Sequence, residues 1–329
     1  MSHGNIAIFV PHLGCTQQCS FCDQRAISGQ ASLPTAEDVA RAAEIGAKSR
    51  GFDPANTEIA FFGGSFTAIP ANYMLSLLRA GQAAVERFGL KGIRCSTRPD
   101  AIDPDIIARL KDYGVTAVEL GAQSMDDGVL EANHRGHTAR HTQAAAELIG
   151  KAGIELGLQM MTGLYTDNNS KALATGEKLI ALRPATVRVY PAILLPGTTL
   201  ARLWRQGRYS PQTLEEAVEL CAQLLDRFQQ AGVRVIRMGL HAGPGLEARL
   251  AGPYHPAFRQ LVESRLFLAK LCKALPGPGK FTVGVNPRDI STALGQGREN
   301  LPWLEARGFT VRFCQNQAVP RGGFFLESQ

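Results

Sequence analysis

The chain has 329 residues, 45% of them hydrophobic and 19% charged, enough to bury at least one full core and too apolar for a disordered chain. Apolar stretches such as residues 6–10 or 59–62 fall far short of the roughly 20 residues of a membrane span, and the polar start Met1-Ser2-His3-Gly4 does not look like a secretory signal, so a cytoplasmic protein with no membrane partner is expected. The net charge of +6 is uneven: residues 241–329 carry 11 Lys or Arg against 6 Asp or Glu, which suits either a polyanionic partner, nucleic acid above all, or a solvated basic surface.

From Asn5 onward, short β-rich runs alternate with amphipathic helical stretches. Strands are predicted over residues 6–10, 58–62, 92–97, 117–120, 155–161 and 186–190, with helices between them over 36–48, 72–88, 104–113, 138–152 and 170–182. Gly51, Gly89, Gly114 and Gly153 sit where a helix wants its left-handed terminating residue. A long helix over 211–231 leads to a seventh strand over 233–238, which closes or extends the sheet. Such alternation requires parallel strands joined by right-handed crossovers, so the fold is an α/β sheet or barrel whose chemistry collects at the C-terminal ends of its strands.

After a helix over 256–274 and the Gly- and Pro-rich segment 275–279, the order changes to strand, helix, helix, strand, strand. The expected organisation is a barrel over 1–240, a helical connection packed on it over 241–279, and a small α+β module over 280–329. No repeat or low-complexity segment stands out.

Seven cysteines is an odd number in a chain too large to be a disulfide scaffold, and three of them crowd into Cys15-Thr-Gln-Gln-Cys19-Ser-Phe-Cys22, directly after the first strand. Three thiolates on a short loop can hold three irons of a cubane cluster and leave the fourth iron open. A structural zinc site wants four ligands, and His12 is the only close candidate for the fourth. Cys95, Cys221, Cys272 and Cys314 are scattered singly and read as small buried hydrophobes.

The spacing C-x3-C-x2-C after strand one, with Phe21 before the third cysteine, resembles the radical S-adenosylmethionine (SAM) superfamily. The resemblance implies a partial (β/α)6 TIM-type barrel and a [4Fe–4S] cluster on Cys15, Cys19 and Cys22. It also implies SAM on the open iron, cleaved to a 5′-deoxyadenosyl radical by an electron from a reductant such as flavodoxin or ferredoxin. Phe61-Phe-Gly63-Gly64-Ser65-Phe-Thr67 resembles the Gly-Gly motif that binds the SAM amino group, its glycines allowing close backbone approach. By the same resemblance Gln123 and Arg135 sit near the SAM ribose and carboxylate, with Thr97 a further candidate and Phe21 beside the cofactor. Taken singly, polar residues at strand ends can equally cap helices and satisfy backbone groups.

Several strings resemble the catalytic subunit of the elongator tRNA-modifying complex: Thr97-Arg-Pro-Asp100, Val118-Glu-Leu-Gly-Ala-Gln-Ser124, Asn133-His-Arg-Gly-His-Thr138, Val187-Arg-Val-Tyr-Pro191 and Gly252-Pro-Tyr-His-Pro-Ala-Phe258. This likeness runs over roughly residues 5–265, and the remainder is expected to be too short for the acetyltransferase domain of that subunit. The strand, two short helices and strand that follow are similar instead to a KH RNA-binding module. In that module a Gly-x-x-Gly loop between two helices clamps a nucleotide backbone. Gly295, Gln296, Gly297 and Arg298 occupy the loop, with Arg298 where the second glycine belongs. The alternative is a basic cap that stabilises the barrel.

The expected function is therefore radical SAM modification of RNA (tRNA or rRNA). The alternatives are radical SAM chemistry on a small molecule, as in coproporphyrinogen dehydrogenases, or a non-catalytic iron–sulfur RNA-binding protein. Tyr190, Cys95 and Cys314 are candidate hydrogen donors to a product radical, and Tyr190 is favoured because it ends a strand.

Overall fold

The computed structural model describes residues 4–10, 13–15, 18–22, 32–240 and 244–328; His12 lies outside the described residues. Strands β1 (Gly4–Val10), β2 (Thr57–Gly63), β3 (Gly92–Thr97), β4 (Val115–Gln123), β5 (Glu155–Thr162), β6 (Thr186–Pro191) and β7 (Arg234–Met238) form one sheet in chain order. Every neighbouring pair is parallel. The sheet curls into a partial TIM-type barrel, with β7 extending the expected six units and β1 and β7 as its edges among the described residues.

Helices α1 (Ala36–Ala47), α2 (Ala71–Phe88), α3 (Pro104–Asp112), α4 (Asp127–Ala132), α5 (Ala139–Lys151), α6 (Asn169–Ala181), α7 (Thr199–Arg205) and α8 (Leu214–Gln230) fill the crossovers. Local chemistry fixes their ends. Capping boxes start α1 (Thr35 with Asp38) and α8 (Thr213 with Glu216), and Gly89, at φ 63°, stops α2. Along the strands, side chains alternate. Ile59, Phe61, Ile93, Cys95, Val118, Leu120, Leu158 and Val189 join the hydrophobic core under the helices.

The opposite set of positions points into the barrel and carries charge. Arg94, fully buried, donates to Glu58 (2.8 Å), Glu119 (3.3 Å) and Glu155 (2.8 Å). Arg188 forks onto both oxygens of Glu119 at 2.7 and 2.9 Å, and Gln159 adds a fourth hydrogen bond to that carboxylate at 2.9 Å. This layer spans β2 to β6 and plugs the barrel below its C-terminal mouth.

Helix α9 (Phe258–Ala274) joins two cores. Its Val262 and Leu266 pack into the barrel core, while Phe267, Leu268 and Leu271 pack with Phe281, Val283, Val285 and Leu304. These last residues come from β8 (Gly279–Val285) and α11 (Asn300–Glu305) of a module that also contains α10 (Ile290–Leu294), β9 (Phe309–Gln315) and β10 (Phe324–Ser328), in the expected order of strand, helix, helix, strand, strand. The sheet runs β10-β8-β9, with β8 parallel to β9 and antiparallel to β10. No helix among the described residues is long and apolar enough to cross a membrane.

Candidate active site at the barrel mouth

The loop after β1 lies against the turn after β2. Gly14 (φ 83°) is so close to that turn that a Cβ would stand 2.4 Å from the Ser65 carbonyl oxygen, and a Cβ on Gly63 (φ 113°) would stand 2.6 Å from that of Val10. Only glycine fits at either position. The Gly64 amide completes the contact, donating to the Val10 carbonyl at 2.8 Å.

The far side of the cysteine loop is tied down by groups from other crossovers. Ser20, fully buried, donates its amide to the Asn133 carbonyl (3.1 Å) and its hydroxyl to Asn133 Oδ1 (2.6 Å). Asn133 in turn donates to the Val129 and Tyr165 carbonyls, and the Leu200 amide donates to Ser20 at 2.7 Å. The Cys22 amide bonds the Cys19 carbonyl at 3.2 Å, folding the loop back between the two thiols.

Arg135 links this loop to β4. Its Nη1 donates to Cys19 Sγ at 3.0 Å and its Nη2 to the Gly121 carbonyl at 2.7 Å, and its guanidinium stands 6.0 Å from the centre of the Phe21 ring. Gln123 ends β4 beside a register shift, with a left-handed backbone (φ 62°). Ser65, Thr67 and Thr97 form a closed hydroxyl cluster, with Thr97 Oγ1 2.8 Å from Ser65 and 2.6 Å from Thr67. The Arg98 amide also donates to Ser65 at 3.1 Å, and the Arg98 guanidinium forks onto Asp100 at 2.9 and 2.7 Å.

Burial raises the Cys15 thiol pKa, against the pull of a Ser65 backbone hydrogen bond and of the Arg98 and Arg135 charges. His137, behind the mouth, donates from Nε2 to the Ala122 carbonyl (3.2 Å) and is pushed down to about 4, first by burial and then by the Arg135 charge. Cys95, pushed up to about 12 by burial, lies in the outer core and not in the mouth; Cys314 is half-buried in the C-terminal sheet. Cys221 is buried and Cys272 half-buried. Tyr190 lies on the inner face of β6 beside Arg188, and burial raises its pKa.

The sequence-predicted residues Cys15, Cys19, Cys22, Phe21, Gly63, Gly64, Ser65, Thr97, Gln123 and Arg135 thus share one mouth, at the C-terminal ends of β1 to β4. Among the described residues no three His, Cys, Asp or Glu side chains converge on a single metal position. Two buried polar atoms at the mouth, Gln123 Oε1 and Arg135 Nε, have no partner among the described residues, which fits a polar ligand that completes them. Gly295 to Arg298 stand elsewhere, in the C-terminal module, where Gln296 touches His255 at 3.4 Å.

Residues that the sequence did not single out also build the site. Asn133 and Ser20 anchor the cysteine loop, Arg98 and Asp100 flank it, and Arg94, Glu58, Glu119 and Arg188 close the barrel below. The available signal was charge at alternate positions of otherwise apolar strands, which a buried parallel strand tolerates only when the charges pair.

Residues 9–179 match the Radical SAM superfamily and residues 184–267 the Radical SAM C-terminal domain. The chain is 25% identical over 295 residues to a tRNA uridine(34) acetyltransferase of Dehalococcoides mccartyi, covering 79% of this chain and 64% of that protein. It is 28% identical over 198 residues to human Elongator complex protein 3, covering 54% of this chain and 36% of that one. The chain therefore spans less than two thirds of the length of these relatives. Among solved structures, an N-terminally deleted Elp3 of Methanocaldococcus infernus shares the fold, with a TM-score of 0.66 at 20% identity over 82% of this chain and 63% of that one. The chain belongs to the radical SAM superfamily and is a radical SAM enzyme, a class that uses a [4Fe–4S] cluster and SAM.

Proposed function

We propose that this enzyme modifies RNA, with Cys15, Cys19 and Cys22 holding the cluster and the surrounding mouth holding SAM. The observation that carries the cofactor site is the pair of buried atoms at the mouth, Gln123 Oε1 and Arg135 Nε, that have no partner among the described residues. When bound, the cluster and SAM supply reductive cleavage to a 5′-deoxyadenosyl radical.

The chain's own residues do the rest. Arg135 meets the SAM carboxylate and orients Cys19 through its Nη1 hydrogen bond to Sγ. Gln123, fixed by its bulge, meets the ribose, and the Gly63-Gly64 backbone meets the amino group. Ser65 and Thr97 are saturated by each other and by Thr67 and Arg98, so they position the turn. Cys15, protonated when free because it is buried, must lose its proton on ligation, and Arg98 and Arg135 lower the cost of the thiolate. The Arg94 and Glu119 layer below excludes water from the floor of the barrel.

An RNA substrate is supported by the tRNA-modifying names of the relatives and by the C-terminal loop. Arg298 is exposed and takes a left-handed backbone (φ 63°) at the second-glycine position. A non-glycine residue in that region is uncommon and carries strain. The test is anaerobic reconstitution of the full chain followed by dithionite and SAM, with and without bulk tRNA. 5′-Deoxyadenosine that rises with tRNA is expected. Product indifferent to RNA would overturn the RNA reading, and no product under any condition would overturn the cofactor site as well.

A further inference from the structure

Between the Gly295–Arg298 loop and the barrel mouth stand several cationic and aromatic side chains. Arg237 and Arg188 are paired neighbours in the register of β7 and β6, so both side chains lie on the inner face, next to Tyr190. Arg188 is neutralised by Glu119, whereas Arg237 has no carboxylate partner among the described residues and donates only to the Gly239 carbonyl at 2.9 Å. Arg259 and then Tyr254 are the further groups close to Arg237, and the exposed Arg249 stacks over the Tyr254 ring at 4.3 Å.

The segment carrying these residues is pinned to the mouth and not free to drift. The Leu194 amide donates to Ala251 at 2.9 Å and the Leu250 amide to Leu194 at 2.8 Å, making a bridge just past the end of β6. The adjacent His255 then meets Gln296 of the Gly-rich loop at 3.4 Å, and the loop presents Gln296, Gly297 and Arg298 to solvent.

We propose that Arg237, Arg249, Tyr254 and His255 form a track for single-stranded RNA, leading from the Gly295–Arg298 loop to the barrel mouth. The inference rests on the RNA reading above and deepens it. Guanidinium groups pair with phosphates, and a tyrosine ring beside a guanidinium offers a face for an unstacked base, the combination that single-stranded RNA requires. A flat protein partner would instead want a contiguous apolar patch, and of this segment only Leu250 (37%) is an exposed large hydrophobic side chain. The track also accounts for Arg237, a half-buried cation on the barrel's open edge with no counter-charge among the described residues: its counter-ion is a backbone phosphate entering the mouth.

The test is binding of a fluorescein-labelled tRNA anticodon stem–loop to the full chain across a salt series. The variants are Arg298→Ala, Arg249→Ala, Tyr254→Leu and Tyr254→Phe, with Arg140→Ala, an exposed α5 residue, as control. Leucine keeps an apolar side chain against Leu246 and Leu240, so a folding failure at position 254 is avoided. Arg249→Ala is expected to lower affinity and flatten the salt slope by about 1. Tyr254→Leu is expected to lower affinity at least about fivefold, Tyr254→Phe to restore it, and Arg140→Ala to change nothing.

If Arg298→Ala weakens binding while the Arg249 and Tyr254 variants bind like the parent, the track is overturned and RNA binding stands. The same holds if the Tyr254 and Arg249 effects appear equally on a labelled acidic peptide. If the parent chain binds no RNA even at low salt, both readings fall.

Discussion

Glycine pairs bend the chain at two places, and they do so for different reasons. At the barrel mouth, Gly14 and Gly63 exist because backbone from another segment occupies the space a side chain would take. In the C-terminal module, Gly295 is packed against Glu299 and Asn300, but Gly297 has nothing within 4 Å and Arg298 follows it in a left-handed backbone. The first site is a cradle defined by packing. The second is an open loop held by its own turn hydrogen bonds, from the Arg298 amide to the Gly295 carbonyl and from the Glu299 amide to the Gln296 carbonyl, both 3.1 Å, with its face left to solvent. A cofactor that must be held rigidly suits the first arrangement, and a long polymer that must enter and leave suits the second.

The contrast extends to charge. Arg94 in the barrel is fully buried among three carboxylates, whereas in the module Arg321, 62% exposed, donates to the buried Asp289 at 2.6 Å. Arg94→Met removes the cation that Glu58, Glu119 and Glu155 share, leaving Arg188 on Glu119 and Lys91 near Glu58, and is expected to cost about 3–5 kcal/mol of stability. Arg321→Ala is expected to cost about 1 kcal/mol or less, because solvent screens the pair and the Gly322 amide still serves Asp289. Urea unfolding of both variants measures the difference. Equal losses would show that the barrel layer is no more built than the surface.

Acid should separate the two regions next. His137 is buried and held neutral, so its folded pKa, about 4, lies below its ordinary value of 6.5. Its contribution is complete above pH 6.5 and is lost as the pH falls towards 4, by an amount on the order of 3 kcal/mol. Unfolding midpoints of the parent and of His137→Gln between pH 7 and 4 should converge as the pH drops.

The glycines give the smaller effects. Gly63→Ala meets the Val10 backbone and is expected to cost about 2–3 kcal/mol and to lower the iron retained after reconstitution. Gly297→Ala meets nothing, so only its positive φ is penalised, at about 1 kcal/mol. Arg298→Gly should raise the melting temperature slightly, because it releases the left-handed strain.

Most of the barrel was legible in the sequence because apolar strands and capped helices alternate with few exceptions. β4 was the least complete, read as 117–120 and observed as Val115–Gln123. Its inward residues Glu119, Gly121 and Gln123 break the apolar run that marks a strand. The cysteine loop was legible from spacing. The Ser20–Asn133 anchor was not, since a contact over 113 residues between two ordinary polar side chains leaves no local pattern. The Gln296–His255 contact was hidden for the same reason.

The most direct test of RNA as the substrate is isotope transfer. The reconstituted enzyme is given unlabelled SAM and bulk tRNA carrying carbon-bound deuterium, prepared from cells that lack the enzyme. The 5′-deoxyadenosine formed is then examined by mass spectrometry. Deuterium in that product is expected, since the abstracted hydrogen comes from the RNA. 5′-Deoxyadenosine formed in quantity without deuterium would contradict an RNA substrate.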